Sequence, residues 1–198
     1  MAETSSTTRL IDFISYVDQL KSVIRKNGLH DGSRSENTAE HSWHAALSAL
    51  LLVPYANESV DINKVTRMLL IHDLVEIEAG DTSVYDKDGV ALQEQAEKHA
   101  AEIVFNKLPE DIANDLRQLW DEFETRQTPE AKFAKAIDRF LPLLSHYKND
   151  GISWQSLDIT ANEVLDICSL IGDGSEVLWQ QVQEMIDECV DKGILRAG

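Results

Sequence analysis

The sequence predicts an all-α fold. Apolar residues recur at i, i+3, i+4 and i+7 along most of its length, and no stretch sustains the period-two alternation of a half-buried strand. Capping and breaking residues fall between the periodic segments, where helices start and stop. Leu10, Phe13, Ile14, Val17, Leu20 and Ile24 form one stripe, so the first helix is expected from about Thr8 to Lys26, with Asn27-Gly28 ending it. Asn37 followed by Glu40 reads as a capping box opening a second helix that stops at Pro54. Asp61 caps a third helix that ends near Ala79-Gly80, followed by a loop holding Asp81, Tyr85, Asp86 and Gly89. A fourth helix is expected over Leu92–Leu108 and a fifth after Pro109. The sixth is capped by Thr128 with Pro129 at its first position, and breaks at Asn149-Asp150-Gly151. Two more fit Thr160–Ile171 and Ser175–Lys192, giving about 7–8 helices in all.

At 198 residues the chain fits one domain with a substantial core. Residues 1–7 read as a disordered tail and 8–198 as the domain. The apolar run from Ala45 to Ala56 is too short to span a bilayer, and the polar N-terminus lacks the regions of a signal peptide. Two cysteines, Cys168 and Cys189, support neither a disulfide framework nor a thiolate metal site, so a reducing, cytoplasmic setting is the default. A formal charge of −17 argues against a nucleic-acid polymer or an anionic membrane as partner. Against that background, Lys21, Arg25, Lys26 and Arg34 concentrate positive charge in one segment suited to a small anion.

The chemistry concentrates in Leu69-Leu70-Ile71-His72-Asp73-Leu74-Val75-Glu76. His72 lies in the buried stripe of the third helix, with Val65, Met68, Leu69 and Val75. A buried carboxylate beside it, Asp73, needs a cationic partner. Asp138 repeats the anomaly on the sixth helix, in one row with Ala134, Leu141 and Ser145. His41 opens the buried face of the second helix. One divalent ion held by His41, His72, Asp73 and Asp138 would satisfy all four, and two nitrogens with two carboxylates suit Mn, Co, Fe, Ni, Zn or Mg.

These residues resemble the H…HD…D signature of the HD-domain phosphohydrolases. The flanks Arg34-Ser-Glu-Asn-Thr-Ala-Glu-His41, His72-Asp73-Leu-Val-Glu76-Ile-Glu-Ala-Gly-Asp81 and Glu130-Ala-Lys-Phe-Ala-Lys-Ala-Ile-Asp138 are similar to its YfbR-like 5′-deoxynucleotidase branch. The resemblance implies a single HD-domain helical bundle, with a metal-site core at about 34–145 and C-terminal helices at 156–193. It implies hydrolysis of (deoxy)nucleoside 5′-monophosphates, with His41, His72, Asp73 and Asp138 as metal ligands. Glu76 and Asp81 follow as catalytic residues, Asp81 also as a sugar contact, and Arg25 and Arg34 as phosphate contacts. Bacterial members carry an Arg-Trp pair where this chain reads Arg25-Lys26-Asn27, which leaves sugar preference open.

Two other readings remain: the same site acting on a nucleoside triphosphate, cyclic nucleotide or other small phosphoester, and a catalytically silent HD binding module. His44 competes with His41 as a ligand, but the flanking match favours His41. His99, Glu94, Glu97 and Glu102 read as a solvated face, Lys135 and Arg139 as surface charge, and Trp120, Trp154 and Trp179 as core or interface. The C-terminal helices offer a surface for a homodimer.

Overall fold

A computed structural model describes residues 5–82, 85 and 87–198. The tail at residues 1–4 and Asp86 of the expected loop therefore lie outside the described residues, as do the side chains of residues 87–91. The helices are α1 (Ser6–Val17), α2 (Thr38–Leu52), α3 (Ile62–Ile71), α4 (Glu76–Ala79), α5 (Lys87–Phe105) and α6 (Glu110–Thr125). They continue with α7 (Pro129–Lys148), α8 (Ile152–Ser156), α9 (Ala161–Cys168), α10 (Ile171–Gly174) and α11 (Glu176–Asp191). The fold is all-α apart from one small hairpin, and no helix among the described residues is long and apolar enough to cross a membrane.

The caps fall where their residue types predict. Asn37 and Glu40 form a reciprocal capping box at α2, Asp61 accepts from the Asn63 and Lys64 amides, and Thr128 accepts from the Ala131 amide. α7 is the central element, packing against α2, α3, α6, α10 and α11. Its buried face carries Phe133, Ala134, Ile137, Phe140 and Leu141, and with them Asp138. Trp120 and Trp154 are core residues.

Three expectations change. Ser5 caps α1, so the helix starts at Ser6 rather than Thr8. It also ends at Val17 instead of continuing to Lys26: a 3-10 turn (Asp18–Ser22) follows, then strand β1 (Ile24–Gly28), paired antiparallel with β2 (Ser35–Asn37). The β-branched Val23-Ile24 pair suits an extended backbone, but five residues show too little alternation to reveal a strand. Third, the helix carrying His72 is not continuous. It tightens to a 3-10 turn over His72–Val75 before α4, which ends at Gly80 in a positive-φ conformation. Elsewhere α5 starts at Lys87 and takes in Gly89, and the expected Thr160–Ile171 helix splits into α9 and α10.

α7 and α10 approach each other closely at Gly174. A Cβ built on Gly174 would run into the Lys132 carbonyl and lie 2.8 Å from the Ala136 Cβ. Gly174→Ala is therefore expected to cost about 1–3 kcal/mol through overpacking, read as a lowered Tm with little change in helical circular dichroism.

Candidate metal centre

The hairpin, the 3-10 turn and α7 each deliver part of one buried polar cluster. In the hairpin, Ile24 faces Asn37 and Gly28 faces Ser35, so β1 carries more residues than β2 between the same two pairings. The irregularity falls on Arg25, Lys26 and Asn27, and such bulges re-aim side chains. Arg25 turns into the protein: its Nη1 lies 2.9 Å from Asp73 Oδ2, 3.9 Å from Glu76 Oε1 and 4.0 Å from Asp81 Oδ1. In the 3-10 turn, residues three apart eclipse, so Asp73 and Glu76 share one side. Trp120 Nε1 donates to the His72 carbonyl at 3.0 Å and holds the turn against α6.

His41, His72 and Asp73 each offer a ligand atom within 4.8 Å of the others. Asp138 Oδ1 completes the group, 2.9 Å from His41 Nε2 and 3.4 Å from His72 Nε2. His72 Nδ1 lies 2.9 Å from the Leu69 carbonyl, which can only accept, so Nδ1 carries the proton. That leaves Nε2 as the nitrogen open to a metal ion, which would displace its proton: it is buried, without a hydrogen bond, and 3.1 Å from Asp73 Oδ1. An orphaned imidazole nitrogen facing two carboxylates, with a second imidazole beside it, fits a divalent metal ion. Glu36 Oε2 lies 3.5 Å from the other nitrogen of His41, on the side where a carboxylate behind a ligating imidazole stands.

The electrostatics carry the same message. Burial opposes charge on His72, but Asp73 and Asp138 outweigh it and push its pKa up to about 10. Asp73 and Asp138 lie below the usual carboxylate range because His72, Arg25 and Lys135 outweigh their burial. Glu76 moves the other way, to about 9, through burial and the Asp73 charge, with Arg25 and a 2.8 Å hydrogen bond from Thr38 Oγ1 opposing the shift. Burial also raises Asp81.

A cavity of about 630 Å³ opens over the cluster, lined at this end by Arg25, His72, Asp73, Glu76, Asp81 and Asp138. His41 sits beneath it, fully buried. Arg34 is placed elsewhere: exposed, it forms a two-pronged ion pair with Glu40 at 2.7 and 2.9 Å and lines no part of the cavity. Its position six residues before Glu40 satisfies it locally, which motif spacing cannot reveal. His44 also stays outside the cluster, stacked on Trp43. His99 is exposed.

Other placements depart from expectation. Lys135 is drawn inward, its Nζ 3.1 Å from Asp138 Oδ2. One turn before Asp138 on the same helix, it stands where an i, i+3 partner must, which was the available signal. Arg139 and Glu97 line the cavity instead of the surface, and Glu36 joins His41 only through the hairpin.

Between pH 6.5 and about 9, the folded metal-free protein holds protons on His72 and Glu76 that the unfolded chain releases. Both raised pKa values make stability fall as pH rises through this window. Thermal melts in chelator are expected to show Tm decreasing from pH 6.5 to 9, with added divalent metal reversing the loss. A flat profile would show that these groups are not held as described.

Comparisons with known proteins place the chain in a family. The HD domain family model matches residues 17–179. The human 5′-deoxynucleotidase HDDC2 is 30% identical over 147 residues, covering 70% of this chain and 71% of that protein. A crystal structure from Magnetospirillum magnetotacticum, named a predicted metal-dependent phosphohydrolase, superposes with a TM-score of 0.91 at 42% identity, covering 98% of this chain and 100% of that one. A conserved hypothetical protein from Pyrococcus furiosus shares the fold, with a TM-score of 0.61 at 22% identity, covering 91% of this chain and 99% of that one. With its paired imidazoles and carboxylates gathered from α2, the His72-Asp73 turn and α7, the chain belongs to the HD-domain family.

Proposed function

We propose that this protein is a divalent-metal-dependent phosphomonoester hydrolase that converts nucleoside 5′-monophosphates, deoxynucleotides included, to nucleoside and phosphate. The supporting observation is a buried His72 Nε2 facing Asp73 and Asp138, with Arg25 directly alongside at one end of a cavity. The 5′-deoxynucleotidases and the metal-dependent phosphohydrolase to which the chain is similar point to the same reaction.

His41, His72, Asp73 and Asp138 would hold the ion. Bound there, it supplies Lewis acidity toward a phosphoryl oxygen and makes water nucleophilic near neutral pH. Arg25, buried among carboxylates and always charged, binds the remaining phosphoryl oxygens with its fork of donors. Glu76, fixed by Thr38, orients the attacking water; a cation bound beside it would lower its raised pKa, so that the carboxylate can take the water's proton. Asp81 is held by the Lys26 amide at 3.2 Å, and burial raises its pKa. It stands where a side chain could deliver a proton to the leaving 5′ oxygen or bind the sugar. Lys135 offsets the charge of Asp138 from the far side.

The same reading includes a cytoplasmic location, where the free, buried Cys168 and Cys189 stay reduced. It also includes a homodimer, for which exposed apolar side chains such as Trp43 and Leu51 on α2 and Val177 on α11 offer surface. Light scattering measures the second directly.

With Mn²⁺ or Co²⁺ added, wild-type protein is expected to release phosphate from a panel of 5′-ribo- and 5′-deoxyribonucleotides. Asp138→Ala should lose turnover together with bound metal, measured by elemental analysis. Glu76→Gln should keep the metal while turnover falls about 10²–10⁴-fold, the usual share of a general base. Metal loss in Glu76→Gln would move that residue into the ligand set, and a silent wild type with confirmed metal would sink the nucleotidase reading.

A further inference from the structure

The cavity is larger than a phosphate requires, and its volume matches that of sites for whole small-molecule ligands. From Asp138 it follows α7 past Arg139, Pro142 and Leu143 to His146, about 12 Å of helix. The walls of this far half are largely apolar, with Pro142, Leu143, Leu157 and Ile167 among them. Two polar groups interrupt them without partners. Arg139 forms no ion pair with any described residue, and its Nε is buried without a hydrogen bond. His146 is 5% exposed, and its buried Nδ1 also lacks a partner. His146 is fixed in place: its ring packs against Trp154 with centroids 4.9 Å apart, and Trp154 Nε1 donates to the Tyr85 hydroxyl at 2.8 Å. Burial lowers the His146 pKa to about 4, so the ring is neutral and one of its nitrogens can accept.

Apolar walls with a polar edge match a planar heterocycle better than a second phosphate, which one arginine among apolar side chains would leave short of donors. An arginine fork matches two adjacent acceptors, as on the O6/N7 edge of guanine, whereas adenine presents an amino donor beside N7. A neutral imidazole nitrogen can accept from guanine N1–H, where adenine has only an acceptor.

Resting on the reading that the metal end holds a nucleotide's phosphate, we infer that the far half of this cavity is a base-recognition site selecting guanine nucleotides through Arg139 and His146. The unpaired guanidinium and the orphaned imidazole are then ligand contacts awaiting the base edge. Trp154 and Tyr85 act as positioning residues for His146.

The test is calorimetric titration of the metal-loaded Glu76→Gln protein, which holds substrate without rapid turnover, with dGMP, dAMP, dCMP and dTMP. One good two-pronged contact discriminates about 5- to 150-fold, so dGMP is expected to bind tighter than dAMP by a factor in that range. Adding Arg139→Met should remove the preference. Adding Arg139→Lys, which keeps the charge but loses the fork and guards against misfolding of the first variant, should reduce it. Equal affinity for the four nucleotides, or a guanine preference that survives both substitutions, would overturn the inference. So would tighter binding of dADP than dGMP, since Arg139 would then serve a second phosphate. Hydrolysis by the wild type is scored separately. Turnover of all bases alike sinks the base site and leaves the hydrolase standing, whereas selective dGMP binding without wild-type turnover does the reverse.

Discussion

Everything in this molecule is arranged around a surplus of buried negative charge. Asp73, Glu76, Asp81 and Asp138 converge on one end of a cavity, facing His72 with His41 beneath. Carboxylates this close cannot all ionise in a low-dielectric setting without cations among them. The chain supplies two, Arg25 on one side and Lys135 on the other. The positions facing both imidazoles are left to protons or to a metal ion. This explains why His72 holds its proton so firmly and why Glu76 is kept protonated well above the ordinary carboxylate range. The protons occupy the electrostatic role for which the donor set is built.

The scaffold's task is to keep such a cluster from relaxing. α7 is packed on several sides, so Asp138 cannot swing out to solvent. The His72-Asp73 turn is held by Trp120, which satisfies a backbone carbonyl, and Phe123 packs against the imidazole with ring centroids 4.9 Å apart. At the junction of β2 and α2, Thr38 holds Glu76 and Glu36 stands beside His41. The supporting contacts come from elements distant in sequence, so the charges are fixed in geometry by a core they do not belong to. That is the preorganisation a phosphoryl-transfer site depends on.

α7 also measures distance. Lys135 and Asp138 stand at the charged end of the cavity, and Arg139, Pro142 and His146 continue along it. Pro142 lacks the amide that would have bonded the Asp138 carbonyl, a tolerable loss inside a helix so firmly packed. One helix face thus spans from the charged end of the cavity to its more apolar far half.

Much of this was legible in the chain itself. Helical periodicity and caps located most of the helices. The four candidate ligand positions stood out because a buried histidine or aspartate on an apolar stripe needs a charge partner. What escaped was whatever depends on a partner far away in sequence. Arg34 and Arg25 are equivalent as sequence. Only the bulge in a strand too short to recognise turns Arg25 inward, while a local carboxylate claims Arg34. Arg139 and Lys135 looked like surface charge, and Glu36 drew no reading of its own, because the cavity and the cluster they join are assembled from separate elements. The sequence by itself determined most of the helices and the candidate ligand residues, since burial of a charged group is written in local periodicity. Tertiary structure alone decided which cations reach the site and how far the cavity extends, because those depend on distances between elements that no local pattern encodes.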